Sequence, residues 1–281
     1  MSLIFSHVTK TFGGVHAVED VNFRLDPGHV YSLIGPNGAG KSTIINMAAG
    51  SYTLSKGEIS LDGIQLSKLK KHKVAQAGLS RTYQNIRLFD HMTVMENLET
   101  ALFSSLVHRV PEEVFLPWLD RRHKQERRER CMAVLAEFEL AHRANELSVN
   151  LAYGEQKRLE ICRALVSRPK VLLLDEPAAG LNDRETAELT SRIQKLRRPD
   201  VVVLVVEHDM KLVMAISDEI VVLHQGKLLA KGSPDEIRNN EAVKEAYLGN
   251  EKSAETLKAA ALRRRDRLGL RPGQRSAWRV A

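Results

Sequence analysis

"HVYSLIGPNGAGKSTIINMAAG", residues 29 to 50, runs a short apolar segment into a glycine-rich turn and then into a helix-like pattern. Within it Gly35, Pro36, Asn37, Gly38, Ala39, Gly40, Lys41 and Ser42, with Thr43 next, fit G-x-x-x-x-G-K-[ST] between an expected strand and an expected helix, the context in which that spacing has meaning. Glycines let backbone N–H groups converge on phosphate oxygens, and the helix start adds partial positive charge. Lys41 supplies a mobile cation, and the Ser42 hydroxyl is a ligand for Mg2+. An incidental Gly-rich turn requires neither the lysine nor the hydroxyl, so the stretch predicts a nucleoside triphosphate site in a phosphate-loop (P-loop) NTPase core.

Working outward, "VLLLDEP" (171 to 177) is an apolar strand ending in two acids. Asp175 emerges at the carboxyl edge of the sheet, where ligands of such folds collect, and is suited to hold Mg2+ through water. Glu176 points elsewhere and can take a proton from an attacking water, a role typically worth about 10²- to 10⁴-fold in rate. "LAYGEQKRLEICRAL" (151 to 165) adds a second glycine turn before an amphipathic helix, with Leu159, Ile161, Cys162 and Leu165 on one face. Gly154 lets a ligand approach that helix start, which makes a second anion site. One triphosphate is already cradled by one loop, so the spare site suits a triphosphate held by another subunit.

The opening segment "LIFSHVTKTFGGVHAVEDVNFRL" alternates around Gly13 and Gly14 and predicts antiparallel strands; "SKGEISLDG" is a further short strand and "KLKKHKVAQAG" a polar helix. Residues 92 to 150 are helical and charge-laced, a helical subdomain. Beyond them come a helix over 155–167, the strand "VLLLD", a helix over 184–197, the strand "VVVLVVE", a helix over 209–216, then "EIVVLH" and "GKLLAKG". Strands alternating with helices make an α/β fold with a mostly parallel sheet and covered faces. The domain is placed at 1–250, with a tail at 251–281.

That tail carries nine Lys and Arg against three acids, +6 of the chain's +7, which leaves +1 for the first 250 residues. The body is therefore not basic, and no nucleic-acid partner is expected. The tail reads either as a basic helix on anionic lipid or as solvated chain. No apolar run approaches the eighteen or more residues of a membrane span, "VVVLVV" (201 to 206) being as long as they come. The amino terminus lacks the pattern of a secretory signal, so export is not expected. Cys131 and Cys162 have no metal-binding spacing and read as reduced, buried thiols of a cytosolic protein.

Taken in order, "GPNGAGKST", "YQN", "LAYGEQKR", "VLLLDEP", "GLND" and "VVEHD" resemble the ATP-binding cassette ATPases, the motor subunits of ABC transporters, over about residues 1 to 250. "SRTYQNIRLFDHMTVMENL", "NLAYGEQKRLEICRAL" and "DEPAAGLN" are similar to the ATP-binding subunit of branched-chain amino acid importers. The resemblance implies that Phe12 stacks on adenine, that Gln84 touches Mg2+ and the attacking water, and that His208 lies near the γ-phosphate. Taken singly, Phe12, Gln84 and His208 also suit packing or capping roles. Leu151, Ala152, Tyr153, Gly154 and Glu155 stand where the family has L-S-G-G-Q, and Asn182 where it has an aspartate. In the family two such chains, identical or paralogous, clamp two ATP molecules head to tail, each signature facing the other's phosphate loop. Membrane permeases then receive the motion, and a periplasmic solute-binding protein feeds them indirectly. The implied location is the cytoplasmic face of the inner membrane.

Ala152 departs from the signature serine, removing a hydrogen bond to a charged group of roughly 1.5–3 kcal/mol; weaker clamping follows, rather than inactivity. Ile86, Leu88, Phe89, Met92 and Val94 are candidates for a groove that takes a partner helix. Two other classes fit less well. A lipid or lipopolysaccharide exporter ATPase has this size but not the LAYGEQ signature, and a soluble, non-transport ABC-type ATPase carries coiled coils or a second cassette.

Overall fold

The computed structural model describes residues 2–103 and 117–247, with side chains over 2–102 and 124–247. The basic tail at 251–281, with its two readings, and the middle of the helical stretch lie outside the described residues.

The first two strands, β1 (Leu3–Phe12) and β2 (Val15–Leu25), turn through Gly13 and Gly14 and pair antiparallel. The later strands β4 (Lys56–Leu61) and β5 (Ile64–Gln65) add to β1, giving an antiparallel sheet in the order β2-β1-β4-β5. A second sheet is built from β3 (Val30–Ile34), β6 (Leu79–Arg81), β7 (Val171–Asp175), β8 (Val202–Val206), β9 (Glu219–His224) and β10 (Lys227–Gly232). Its order is β10-β9-β3-β8-β7-β6, parallel throughout except for β10 against β9.

The parallel strands read as unbroken apolar runs because both of their faces are covered. Leu173, Leu204 and Val206 point into a core shared with the antiparallel sheet and with α1 (Lys41–Ala48). Their neighbours Leu172, Leu174, Val203 and Val205 face the opposite way, against α3 (Val94–Phe103), α4 (Pro117–Glu137), α5 (Tyr153–Leu165) and α6 (Asp183–Gln194). Leu98 of α3, Leu135 of α4 and Phe138 beyond it belong to that second core, so the helical stretch is anchored through the sheet face. A third cluster joins Ile34 and Val222 to α7 (Met210–Ile216), α8 (Pro234–Asn239) and the helical turns at 241–247. The short α2 (Lys71–Gln76) precedes β6.

Periodicity did not reveal β6, whose three residues are too few to show an alternation; it completes the parallel sheet beside β7. The signature helix starts at Tyr153, two residues before the expected start, and α6 ends at Gln194. Among the described residues no helix is long and apolar enough to cross a membrane.

Both thiols are free and buried, on α4 and α5. Burial pushes Cys131 up to about 11 and Cys162 well above its ordinary value. At pH 8 both are therefore protonated, and thiolate is the reactive form. Native protein mixed with an aromatic disulfide reagent should release almost no thiolate over minutes, while protein unfolded in guanidinium should release two equivalents per chain.

Candidate functional site

Register places the site. Leu33 of β3 and Asp175 of β7 both pair with Val206 of β8, so Gly35, Glu176 and Glu207 leave the sheet at nearly one level. The phosphate loop turns there at Gly35, with φ of 150°, where an added Cβ would lie 2.2 Å from the Leu223 carbonyl oxygen. No side chain fits so close to backbone. Gly40, also in the left-handed region at φ 101°, delivers the chain into α1. Lys41 donates from Nζ to the Gly35 oxygen at 2.6 Å and the Pro36 oxygen at 3.0 Å, its ammonium lying along the loop. Burial lowers its pKa, and the charge of Glu176 works against that shift. Ala39 is buried and Asn37 and Gly38 are exposed, with Ser42 and Thr43 on the first turn of α1.

The two acids after β7 have different surroundings. Asp175 accepts from Arg81 Nη2 at 2.7 Å, in a pair whose side chains are both about nine-tenths buried. The same guanidinium donates from Nη1 to Asn46 Oδ1 at 2.7 Å and lies 5.1 Å from the centre of the Tyr83 ring. Glu176, at a positive φ of 48°, accepts from Gln84 Nε2 at 2.7 Å. Gln84 is held in turn by Lys157, whose Nζ donates to its carbonyl oxygen at 2.8 Å. Glu207 is consumed by the backbone, since Oε1 accepts from Ala178 N–H and Oε2 from His208 N–H. The exposed His208 ring has Nδ1 3.7 Å from Glu207 Oε2.

The expected adenine platform is on the hairpin, where Phe12 is 42% exposed. Tyr52, not singled out in the sequence, meets it edge-on at 5.4 Å, and the Lys10 ammonium lies 4.7 Å from the Phe12 ring centre. The second glycine turn opens α5, capped at Ala152. Ala152 has no oxygen to offer the helix start, so only the return half of a capping box exists, with Glu155 Oε2 accepting from Ala152 N–H at 3.0 Å. Asn182 caps α6, accepting from Glu185 N–H and receiving the Glu185 carboxylate at its own N–H. Gly154, Glu155 and Asn182 together line a pocket of about 240 Å³.

The Leu151 side chain is buried in the core, so the turn presents the backbone there. One expectation needs correction. Of the five groove candidates, Val94 is fully buried and Leu88 packs on the core, because both belong to the apolar face that α3 and its approach present to the sheet; Ile86 is half-buried, and only Phe89 and Met92 are exposed.

The ABC transporter family matches residues 18–179 of this chain, and a branched-chain amino acid ATP-binding cassette transporter family matches residues 227–253. This chain belongs to the ABC transporter family. It is 48% identical over 245 residues to BraF of Pseudomonas aeruginosa, a high-affinity branched-chain amino acid transport ATP-binding protein, covering 87% of this chain and 96% of that one. Among solved structures it is similar to an ATP-binding cassette of an ABC transporter in its ADP conformation, with TM-score 0.77, 28% identity and coverage of 89% and 99%. It is also similar to a dimeric cassette in a post-hydrolysis state bound to ADP and Pi, with TM-score 0.68, 26% identity and coverage of 83% and 98%.

The donors expected for a metal are the Ser42 hydroxyl, the Asp175 carboxylate and the Gln84 amide oxygen. All are hard oxygen ligands, and no group of three or more His, Cys, Asp or Glu gathers as a metal site among the described residues. That set fits Mg2+, which takes one or two carboxylates and completes its octahedron with water and phosphate oxygens.

Sequence reasoning did not single out Arg81, Lys157, Glu207, Asn46 and Tyr52. A signal for Lys157 existed: it shares a helical stripe with Gly154, Ile161 and Leu165, an apolar face in which a lysine needs a reason. Arg81→Ala leaves a buried carboxylate without its cation and should cost about 3–5 kcal/mol of unfolding free energy, measured by urea titration without nucleotide. A loss under about 1 kcal/mol, as for an exposed pair, would show that the ion pair is solvated.

Proposed function

We propose that this chain is the ATP-hydrolysing motor subunit of an importer for branched-chain or related amino acids. The observation that carries the chemistry is the Gln84–Glu176 hydrogen bond at the sheet edge from which the phosphate loop emerges. The solute class rests on the BraF likeness and on the family match at residues 227–253, because a motor subunit does not touch the solute.

The backbone N–H groups between Gly35 and Thr43, Pro36 having none, and the Lys41 ammonium bind the β- and γ-phosphates. Phe12, with Tyr52 beside it, takes the adenine. Ser42, Asp175 and Gln84 would hold Mg2+, whose charge would neutralise the phosphate oxygens. Glu176 accepts the proton of the attacking water while Gln84 orients both. His208, tethered through its backbone to Glu207 and exposed at its ring, is available to the γ-phosphate. The turn at 151–155 offers helix-start N–H groups to the nucleotide of a second cassette chain, identical or paralogous, and Asn182 borders the same seam.

A cavity of about 630 Å³ between α2, β6, α3 and α5 opens beside the Gln84 segment, with Lys71, Arg81, Tyr83, Glu160 and Arg163 in its wall. Phe89, Met92, Leu147 and Val149 are exposed apolar residues nearby in the chain fold, linked by the Ser148 bonds to the Phe89 and Met92 carbonyls. These features support docking of a membrane permease, which holds the chain at the cytoplasmic face of the inner membrane and connects it to a periplasmic binding protein.

Glu176→Gln should leave ATP binding intact, accumulate an ATP-bound dimer on a sizing column, and slow phosphate release by about 10²- to 10⁴-fold; near-normal turnover would disprove the base. Lys41→Ala should instead weaken nucleotide binding itself. Uptake of leucine, isoleucine and valine by vesicles carrying the complete transporter checks the solute class, and transport of an unrelated solute in their place would overturn it.

A further inference from the structure

Tyr153 takes the place of a glycine in the signature turn, yet its side chain has work inside its own chain. The phenol donates to the Ala179 carbonyl oxygen at 3.2 Å, in the loop that follows Glu176. Its ring covers Gly180, at φ 82°, where an added Cβ would lie 2.9 Å from Tyr153 Cε1. That loop is fixed to the base on its other side, through Ala179 N–H to the Glu176 carbonyl and Ala178 N–H to Glu207.

Lys157 lies one helical turn further along the same face of α5. It is only 2% exposed, its Nζ is 5.9 Å from the Tyr153 ring centre, and it donates to the Gln84 carbonyl oxygen. Burial penalises this ammonium, while the charges of Glu160, Glu207, Glu176 and Asp175 favour it. Gln84 closes the circuit through its own amide to Glu176. The circuit runs Tyr153, Lys157, Gln84, Glu176, Ala179 and back to Tyr153. The first turns of α5 are thus tied at two points to the base and to the amide that orients it.

We propose that Tyr153 and Lys157 are positioning residues that let seating of this chain's signature turn on a second chain's nucleotide set the geometry of its own Gln84–Glu176 pair. The inference rests on the two-chain reading above. Moving the amino end of α5 against a neighbouring phosphate displaces both the Gln84 carbonyl and the loop after Glu176, so hydrolysis in one chain follows engagement by the other. A glycine at 153 and an alkyl side chain at 157 would have no such reach.

The test uses the full chain with Tyr153→Phe, Lys157→Met and Lys157→Arg. Binding of a fluorescent ATP analogue, KM for ATP and melting temperature should stay close to wild type in all three. In Lys157→Met, kcat should fall by about tenfold, and in both Lys157→Met and Tyr153→Phe the cooperativity in ATP should fade toward independent sites. Lys157→Arg, which keeps a buried donor and cation, should recover most of the lost rate. Unchanged kcat and cooperativity would overturn the link, as would a loss of rate matched by equal losses of binding and melting temperature. Wild-type turnover per chain that stays constant on dilution would instead sink the two-chain reading, and the link with it.

Discussion

Parallel pairing of β3, β8 and β7 in one register is the constraint on which the remaining structure depends. With Leu33 and Asp175 both opposite Val206, three loops of unrelated sequence leave the sheet at a common height. The residues that hold the register are buried on both faces, Leu173 and Leu204 toward one core, Leu172 and Val203 toward the other. Sliding a strand by one residue would exchange those faces and carry its acid away from the phosphate loop. The catalytic edge is therefore a consequence of how two cores are packed, with no separate device needed to assemble it.

An edge that gathers acids must keep them distinct. Asp175 is compensated by the Arg81 guanidinium, and both Glu207 oxygens are taken by backbone N–H groups. The hydrogen-bond partner of Glu176 is a neutral amide, that of Gln84. The distribution of partners thus separates the two acids more sharply than the sequence "LDEP" can: one is tied to a buried arginine and the other to a neutral amide. Lys41 and Lys157 add positive charge from two sides, one along the phosphate loop and one under the Gln84 segment.

Much of this was legible beforehand because it is local. The glycine loop, the acids ending β7 and the alternation of strands and helices are carried by consecutive residues, and the family resemblance follows from their order. What escaped reading depends on pairs far apart in the chain. Arg81 belongs to a strand of three residues and finds its partner 94 positions away. Glu207 looked like a neighbour of His208, and its bond from the Ala178 N–H appears only once β7 and β8 lie side by side. Val94 was misread as a surface residue for the opposite reason, since a lone apolar residue at a helix start looks the same in sequence whether it faces a partner or its own core.

The signature turn carries this contrast furthest. Compared with a serine-glycine signature, "LAYG" gives up a hydroxyl that would both cap the helix and reach a phosphate. The first N–H groups of α5 accordingly have no side-chain oxygen at Ala152 to satisfy them, and Glu155 serves the Ala152 N–H and the Arg143 guanidinium instead. Unsatisfied donors at a helix start are the groups that bind an anion, so a turn without the serine offers one donor fewer but leaves its backbone donors uncontested. Tyr153 cannot restore that bond while its phenol serves Ala179. It substitutes rigidity for reach: a turn fixed to the loop after Glu176 loses less conformational freedom when it docks, and preorganisation of that kind offsets part of a lost contact.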